Sequence, residues 1–404
     1  MGDPPPEAWS RAQRYASWIR QTCLDERWVL GEDTLPKLRR NSPTGGWFPA
    51  LQDLRWCIEE SNLSSVDLFL SPHLTKLSIS TPLFWHYSEI PQRDLPAITS
   101  TFSALPTSAL QSLCVSFSKS GAALRDPLSS VVLRCGTSLT KFISTVPLSD
   151  AAVDHLIQLP RLHTCHLEGP PPSYPSSHLP SISPLTELAL EDGSVREWLS
   201  LFNRLGASCG VRESLKFLKL FSPTIDTSFT SPIRIFRNLV DLSAGDFCKG
   251  GIGDNRCTFK LDNDNVTELA MALTQLETLV LGYPCSENVC ATTIACLLPI
   301  SIHCVNLQVL AIHFNTTDIV GDIKNISDDP QFQELLSRPR CKLPDLYVDD
   351  MPLALDEPGF EIVANGMINI FPSMERFGWT KQTPDWEKLS KRIRELRECE
   401  SNTS

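Results

Sequence analysis

QLETLVLG, residues 275–282, follows the pattern Leu-x-x-Leu-x-Leu. Its fourth and sixth positions are Leu279 and Leu281, which lie two residues apart and therefore point to the same face of a β-strand. The first position, Leu276, leads the chain into that strand and joins the same buried face. The stretch predicts a short strand with one apolar inner face and one outward face.

The same pattern recurs along the whole chain. A single copy is a weak signal, since any amphipathic segment can produce it, and one unit cannot bury its own apolar side. Stacked units form a continuous core, so twelve copies in tandem predict a leucine-rich-repeat solenoid. This is an α/β fold with a curved parallel sheet on the concave side and helices and turns on the convex side. Consecutive copies begin 23 to 37 residues apart. The eleven other copies begin at Leu51, Leu74, Leu110, Leu139, Leu162, Leu185, Leu215, Leu239, Leu307, Leu343 and Met374.

Three regions are predicted: an N-terminal helix, loop and cap (1–50), about twelve irregular repeats (51–380), and a C-terminal capping helix with its tail (381–404). The C-terminal helix, 385–399, has Trp386, Leu389 and Ile393 at helical spacing. Both terminal helices are expected to cover an open end of the solenoid. The N-terminal helix is predicted over 7–24, with one broad apolar face formed by Trp9, Ala12, Tyr15, Ala16, Trp18 and Ile19.

Further helices are predicted between the strands from apolar spacing. They cover 94–104, 148–159 and 194–205, and another begins at Asn265 with Glu268 completing a capping box. The proline-rich segment 169–184 is predicted as an extended connector, with docking through its prolines as the alternative.

Charge and composition exclude several classes of protein. The net charge of −11 disfavours nucleic acid as a partner, because phosphate binding requires a basic face. We expect no membrane span, since no apolar run is long enough. The N-terminus has no apolar segment typical of a secretory signal, which predicts a cytoplasmic or nuclear protein. In that reducing environment the 14 cysteines are expected to be free thiols, mostly small buried apolar residues.

No motif predicts catalysis, a cofactor or a metal, so we expect a protein that is not an enzyme. The glycines at 250, 251 and 253 lack the Gly-Lys-Ser/Thr that a phosphate loop requires. His163-Thr164-Cys165-His166 resembles a ligand cluster, but strand alternation turns Cys165 inward and His166 outward.

The outward positions of the strands are the candidate binding surface for an unidentified protein partner. Two aromatic residues on one strand, Phe217 and Phe221, with Lys219 between them, are unusual for a solvated face. A neighbouring loop could cover them, or a register shift of one residue would turn them inward. The candidate partner-binding residues are His166, Glu168, Glu187, Glu191, Phe217, Lys219, Phe221, Asp241, His313 and Tyr347.

Three segments of the chain resemble basidiomycete F-box/leucine-rich-repeat-like proteins. They are NVTELAMALTQLETLVLG (265–282), CSENVCATTIACLLPISIHCVNLQVLAIHFNTTDIV (285–320) and LDEPGFEIVANGMINIFPSMERFGW (355–379). The resemblance extends over roughly 9–395. It implies target recognition in an SCF-type ubiquitin ligase, where an N-terminal F-box grips a Skp adaptor bound to a cullin and the repeats hold the target.

The N-terminus departs from that family. An F-box opens with Leu-Pro-x-Glu, whereas Pro5-Pro6-Glu7 has no preceding leucine, and WSRAQRYASWIRQ (9–21) looks like the segment that follows an F-box. We therefore expect either an F-box encoded upstream of this chain, which would bring a Skp adaptor and a cullin as partners, or a free-standing scaffold without ligase coupling.

Overall fold

The computed structural model divides the chain into two compact units, 1–185 and 186–404. Each unit is an α/β leucine-rich-repeat array in which parallel strands alternate with helices or turns. The residues that the structure describes are 5–25, 34–42, 46–57, 60–80, 95–117, 121–169, 183–191, 195–221, 224–245, 258–282, 290–328, 332, 341, 343–348, 353, 355–374, 376–379 and 384–401.

The sheet of the first unit is parallel, and its strands follow one another in chain order. Its described strands are β1 (Gln21–Asp25), β2 (Asp53–Cys57), β3 (Lys76–Ser80), β4 (Ser112–Ser116), β5 (Lys141–Ser144) and β6 (Thr164–Glu168). The described parts of the connections contain a 3₁₀ helix at Glu60–Phe69 and the α-helices α1 (Pro6–Ala16), α2 (Thr34–Arg40), α3 (Leu95–Ala104), α4 (Gly121–Arg134) and α5 (Asp150–Ile157).

The second unit repeats this plan. The parallel sheet contains β7 (Glu187–Glu191), β8 (Phe217–Phe221), β10 (Asp241–Ala244), β12 (Thr278–Leu281), β13 (Val309–Ile312), β14 (Asp345–Val348) and β15 (Arg376–Trp379). A separate short pair joins β9 (Thr224–Ile225) to β11 (Thr258–Phe259). Short 3₁₀ turns precede α8 and α10, and the helices are α6 (Val195–Ala207), α7 (Cys209–Ser214), α8 (Thr230–Ile233), α9 (Asn263–Ala272), α10 (Leu297–His303), α11 (Ile319–Asp328), α12 (Glu357–Ile370) and α13 (Pro384–Ser401).

The leucines of the repeat pattern form the core, as the sequence predicts. All twelve predicted copies contain a strand, and the pattern residues of β12, Leu276, Leu279 and Leu281, are buried. The register aligns Leu279 with Leu242 on one side and with Leu310 on the other. Equivalent leucines therefore stack from strand to strand, and each repeat completes the burial of its neighbours.

Before nine of the described strands, one backbone carbonyl accepts two N–H groups of the next repeat. The carbonyl of Val240 accepts the N–H groups of Glu277 at 2.8 Å and of Thr278 at 3.0 Å. That of Glu277 accepts those of Gln308 at 2.7 Å and Val309 at 3.0 Å. These bonds fix where each strand begins relative to its neighbour. The same arrangement occurs at Arg20, Gln52, Thr75, Gln111, Thr140, Thr186 and Lys216.

The N-terminal segment differs from its prediction. Helix α1 ends at Ala16, and Gln21–Asp25 forms β1, which pairs with β2 in parallel register. This register aligns Thr22 with Leu54 and Leu24 with Trp56, so residues 19–24 are a degenerate thirteenth copy of the repeat pattern, in which the first position, Ile19, is exposed. The region 1–50 therefore contributes a strand to the sheet instead of lying outside the repeats.

The other predictions concern helices and their connectors. The helices α3, α5 and α6 confirm the expectations for 94–104, 148–159 and 194–205. The predicted cap at Asn265 is wrong: Asp262 caps α9, and Asn265 is the reciprocal member of the capping box. The C-terminal helix is present as α13, with Trp386, Leu389 and Ile393 buried. Residues 170–182 of the proline-rich connector and glycines 250–253 lie outside the described residues.

Truncation of one central leucine tests the stacked core. We expect Leu279→Ala to lower the free energy of unfolding by about 2–5 kcal/mol, because it opens a cavity among buried neighbours. Urea unfolding followed by circular dichroism measures the change. Met271→Ala is the matched control: Met271 is 59% exposed, so its truncation should change the stability by less than about 0.5 kcal/mol. Equal effects of the two substitutions would contradict this packing.

Candidate interaction surface

Strand β8 has the register that the sequence predicts. Leu218 and Leu220 are buried, whereas Phe217 is 40% exposed and Phe221 is half-buried on the opposite face. Lys219 lies between the two aromatic residues and is also half-buried. The register is therefore confirmed, and the alternative of a shift by one residue is wrong.

A group of charged side chains surrounds Phe217 on the neighbouring strands. Parallel pairing places Glu187 on one side of Phe217 and Asp241 on the other. Burial raises the pKa of the Asp241 carboxyl, while the Lys219 ammonium and a hydrogen bond from Ser243 oppose that shift and Glu187 adds to it. The Ser243 hydroxyl donates to Asp241 Oδ1 at 3.2 Å. This part of the face therefore presents one ammonium between two carboxyl groups.

The outward face becomes apolar on the strands that follow. Val280, Val309 and Ala311 occupy outward positions of β12 and β13 and are half-buried. The register continues from Ala311 to Tyr347 on β14, whose ring is 40% exposed. The apolar stretch therefore ends at the exposed ring of Tyr347 on one side, while Asp241 and Ser243 on β10 separate it from Phe217 on the other. We call this surface the outer strip; it consists of Phe217, Lys219, Asp241, Val280, Ala311 and Tyr347.

A glycine leaves room for the ring of Tyr347 at one end of the outer strip. Gly378 on β15 is the register partner of Tyr347. A Cβ atom at Gly378 would lie 2.5 Å from Cδ1 and 2.7 Å from Cε1 of the Tyr347 ring. The Tyr347 ring therefore occupies the space that a side chain at 378 would fill.

Sequence reasoning overlooked the middle of the outer strip, although a signal was present. The outward positions of QLETLVLG and VNLQVLAI carry Val280, Val309 and Ala311, where a solvated face would carry polar residues. Two consecutive repeats with apolar outward positions indicate a surface that another molecule covers.

His313 must be removed from the candidate surface. It is 2% exposed and follows the last residue of β13, so strand alternation no longer sets its direction. Its N–H donates to the carbonyl of Leu281 at 3.1 Å, and its own carbonyl accepts the thiol of Cys290 at 3.4 Å. These contacts make His313 part of the core.

The remaining predicted residues fall in both units. Glu187 and Glu191 lie on β7 and are half-buried, with Glu191 beside Phe221 in the register. His166 and Glu168 are half-buried at outward positions of β6, in the first unit. On β2 to β6 the outward positions carry no aromatic residue and are mostly serine or charged. The outward aromatic residues Phe217, Phe221 and Tyr347 therefore all lie in the second unit.

The cluster at 163–166 does not form a metal site. Cys165 points into the core, where burial raises the pKa of its thiol to about 12, while His166 lies on the outward face. Within the described ranges no group of three or more histidine, cysteine or acidic residues is arranged to hold a metal ion. Across the same ranges no helix has the length and apolar character needed to cross a membrane.

Comparison with known proteins gives distant structural similarities. No family model and no curated protein matches the chain. A leucine-rich-repeat protein of Legionella pneumophila, LegL7, is 11% identical with a TM-score of 0.36, covering 84% of this chain and 96% of that one. The yeast Rad7 and Elc1 complex gives 13% identity and a TM-score of 0.38, covering 91% of this chain and 87% of that one. At such values these similarities do not bear on function.

Thiol accessibility tests the inward and outward assignment. Burial raises the pKa of Cys135, Cys165, Cys304 and Cys341 to about 11 or 12, so these thiols stay protonated and shielded at pH 8. We expect iodoacetamide to label the exposed Cys23, Cys209 and Cys399 in the folded protein and the buried four only in urea. Mass spectrometry of the digested protein measures the labelling of each cysteine. Rapid labelling of Cys165 without urea would contradict the placement of β6.

Proposed function

We propose that this chain is a non-catalytic protein-binding module that holds a target protein against the outer strip. The observation that carries the proposal is an outward face with two aromatic rings, Phe217 and Tyr347, each 40% exposed. Tyr347 adjoins an apolar stretch, Val280 with Ala311, and the polar outward residues of β10 lie between that stretch and Phe217. Aromatic anchors beside a desolvated apolar centre supply most of the binding energy at protein interfaces.

The rigidity of the sheet supports this function. Phe217 and Tyr347 stand on strands whose inward neighbours, Leu218 and Leu346, are fully buried. Their backbone is fixed before a partner arrives, so association costs little ordering of the binding surface. Glu187, Lys219 and Asp241 add a defined pattern of charge at one end, which favours one orientation of the target.

The resemblance to F-box/leucine-rich-repeat-like proteins supports a more specific proposal. The module would select targets for an SCF-type ubiquitin ligase, with a Skp adaptor and a cullin as further partners and a cytoplasmic or nuclear location. In the alternative proposal, the same surface serves a free-standing scaffold without ligase coupling. In both proposals the outer strip binds the target. The two proposals differ only in whether a Skp adaptor and a cullin also bind.

Affinity capture separates these two proposals. The chain is used as bait in native extract, and the bound fraction is probed for a Skp adaptor and a cullin. Recovery of both proteins supports the ligase proposal. If they are recovered only with a bait that includes the upstream coding sequence, the segment that binds the adaptor is encoded upstream. Absence with both baits favours the free-standing scaffold.

Removal of the β8 aromatics tests target binding. We expect Phe217→Ala with Phe221→Ala to weaken binding of the captured target by at least about tenfold, because anchor residues contribute about 2 kcal/mol or more. Biolayer interferometry with the purified target measures the dissociation constant, and circular dichroism confirms folding. Met271→Ala removes an exposed apolar side chain elsewhere in the same unit and should bind normally. Unchanged affinity in the double variant would disprove the role of this surface.

A further inference from the structure

Among the described residues, one face of helix α1 carries its contacts with Trp47 and Asn41. Trp9 lies against Trp47, with ring centroids 5.4 Å apart, and Ala16 is buried. Between them, the Gln13 side-chain amide donates to the carbonyl of Asn41 at 3.4 Å. The apolar face predicted from the sequence is therefore divided, because Trp9 and Ala16 pack inward while the other large apolar residues do not.

The opposite face of α1 and the turn that follows it carry exposed aromatic residues. Tyr15 is 57% exposed, Trp18 is 67% exposed and Ile19 is 37% exposed. The prediction that these three residues share the packed apolar face of the helix is wrong, since they are exposed.

The two exposed rings are held in place. Their centroids are 5.6 Å apart in an edge-to-face arrangement, a favourable geometry for aromatic pairs. The Trp18 N–H donates to the carbonyl of Tyr15 at 3.0 Å, and the Ile19 N–H donates to that of Ala16 at 3.2 Å. The turn therefore presents a fixed apolar ridge, and a large exposed apolar ridge marks an interaction site more often than a solvated surface.

Arginines flank the ridge. Arg11 and Arg14 lie on the exposed face of α1, and the exposed Arg20 follows the turn. Tyrosine, tryptophan and arginine are the residues most enriched at the energetic centres of protein interfaces. The ridge thus has the composition of a binding centre.

The charge around the ridge is opposite to that of the whole chain. Residues 5–20, which form α1 and the turn, contain three arginines and one carboxylate, Glu7, whereas the chain as a whole has a net charge of −11. The basic character of this end therefore selects a partner with acidic groups.

We propose that Tyr15, Trp18 and Ile19, together with Arg11 and Arg14, dock an acidic amphipathic helix of a partner protein. The apolar stripe of that helix covers the two rings, and carboxylates along its edges meet the guanidinium groups. A helix fits because Arg11, Arg14 and Tyr15 are three and four residues apart on α1, the spacing at which helices interlock. Trp18 and Ile19 extend this surface into the turn that follows α1. This surface belongs to the first unit and is distinct from the outer strip.

A designed probe tests the proposal with the full chain. The probe is a fluorescein-labelled helical peptide of about five turns, with leucine at helical spacing and glutamate elsewhere. A matched peptide carries lysine in place of each glutamate. We expect fluorescence anisotropy to show saturable binding of the glutamate peptide and no binding of the lysine peptide.

Variants locate the binding. Trp18→Ala and Arg14→Glu should each weaken binding of the glutamate peptide by at least about tenfold, since each substitution removes a group that the peptide helix contacts. The matched controls are Met271→Ala and Arg237→Glu, which change an exposed apolar residue and an exposed arginine of the second unit. Both control variants should bind the glutamate peptide as tightly as the unsubstituted protein. The Phe217→Ala and Phe221→Ala variant should also bind the peptide normally, which separates this surface from the outer strip. Circular dichroism verifies that each variant is folded.

Three outcomes would overturn the proposal. Equal binding of the glutamate and lysine peptides would show that charge does not select the ligand. Unchanged affinity in folded Trp18→Ala would place the binding elsewhere. Self-association in sedimentation equilibrium that disappears with Trp18→Ala would identify a second copy of this chain as the occupant instead of an acidic helix.

Discussion

Register between neighbouring strands is the constraint on which the rest of each unit depends. A strand such as β12 buries Leu279 only if its neighbours place Leu242 and Leu310 at the same height. The shared carbonyls before the strands fix that height, and a slip of one residue would turn every leucine outward. The outward residues are fixed by the same requirement, so the position of Phe217 follows from the burial of Leu218. The strand register that buries the core leucines therefore also determines the geometry of the outer strip.

The strands could be predicted because their signal is local and repeated. An alternation of period two identifies each strand, and tandem copies establish the parallel order. The first strand escaped detection because its pattern is Ile19, Thr22 and Leu24, with a hydroxyl where the others carry an apolar residue. Within the described sheet β1 pairs only with β2, so its inward side chains stay half-buried and a weaker pattern suffices. Terminal repeats of solenoids are atypical for this reason.

The candidate surface was predictable only in part. Alternation correctly placed the side chains of β8 and Tyr347, because it depends on backbone geometry alone. It placed His313 wrongly, since the strand had ended at Ile312 and the rule no longer applied. It also places Val280 and Ala311 outward, but valine and alanine are equally expected in a core, so their residue type does not mark them as a surface. The burial of the leucines on the opposite side shows that they form one.

The exposed ridge on α1 shows what periodicity cannot decide. Successive residues of an α-helix are separated by about 100°. Trp9, Gln13 and Ala16 therefore share one side of the helix, whereas Arg11, Arg14 and Tyr15 lie on the other. A sequence with aromatic residues on both sides does not reveal which side packs. The contact between Trp9 and Trp47 decides it, and once that contact forms, the geometry of the helix requires Tyr15 and the arginines to face outward. The ridge is thus a consequence of how the first unit holds its N-terminal helix.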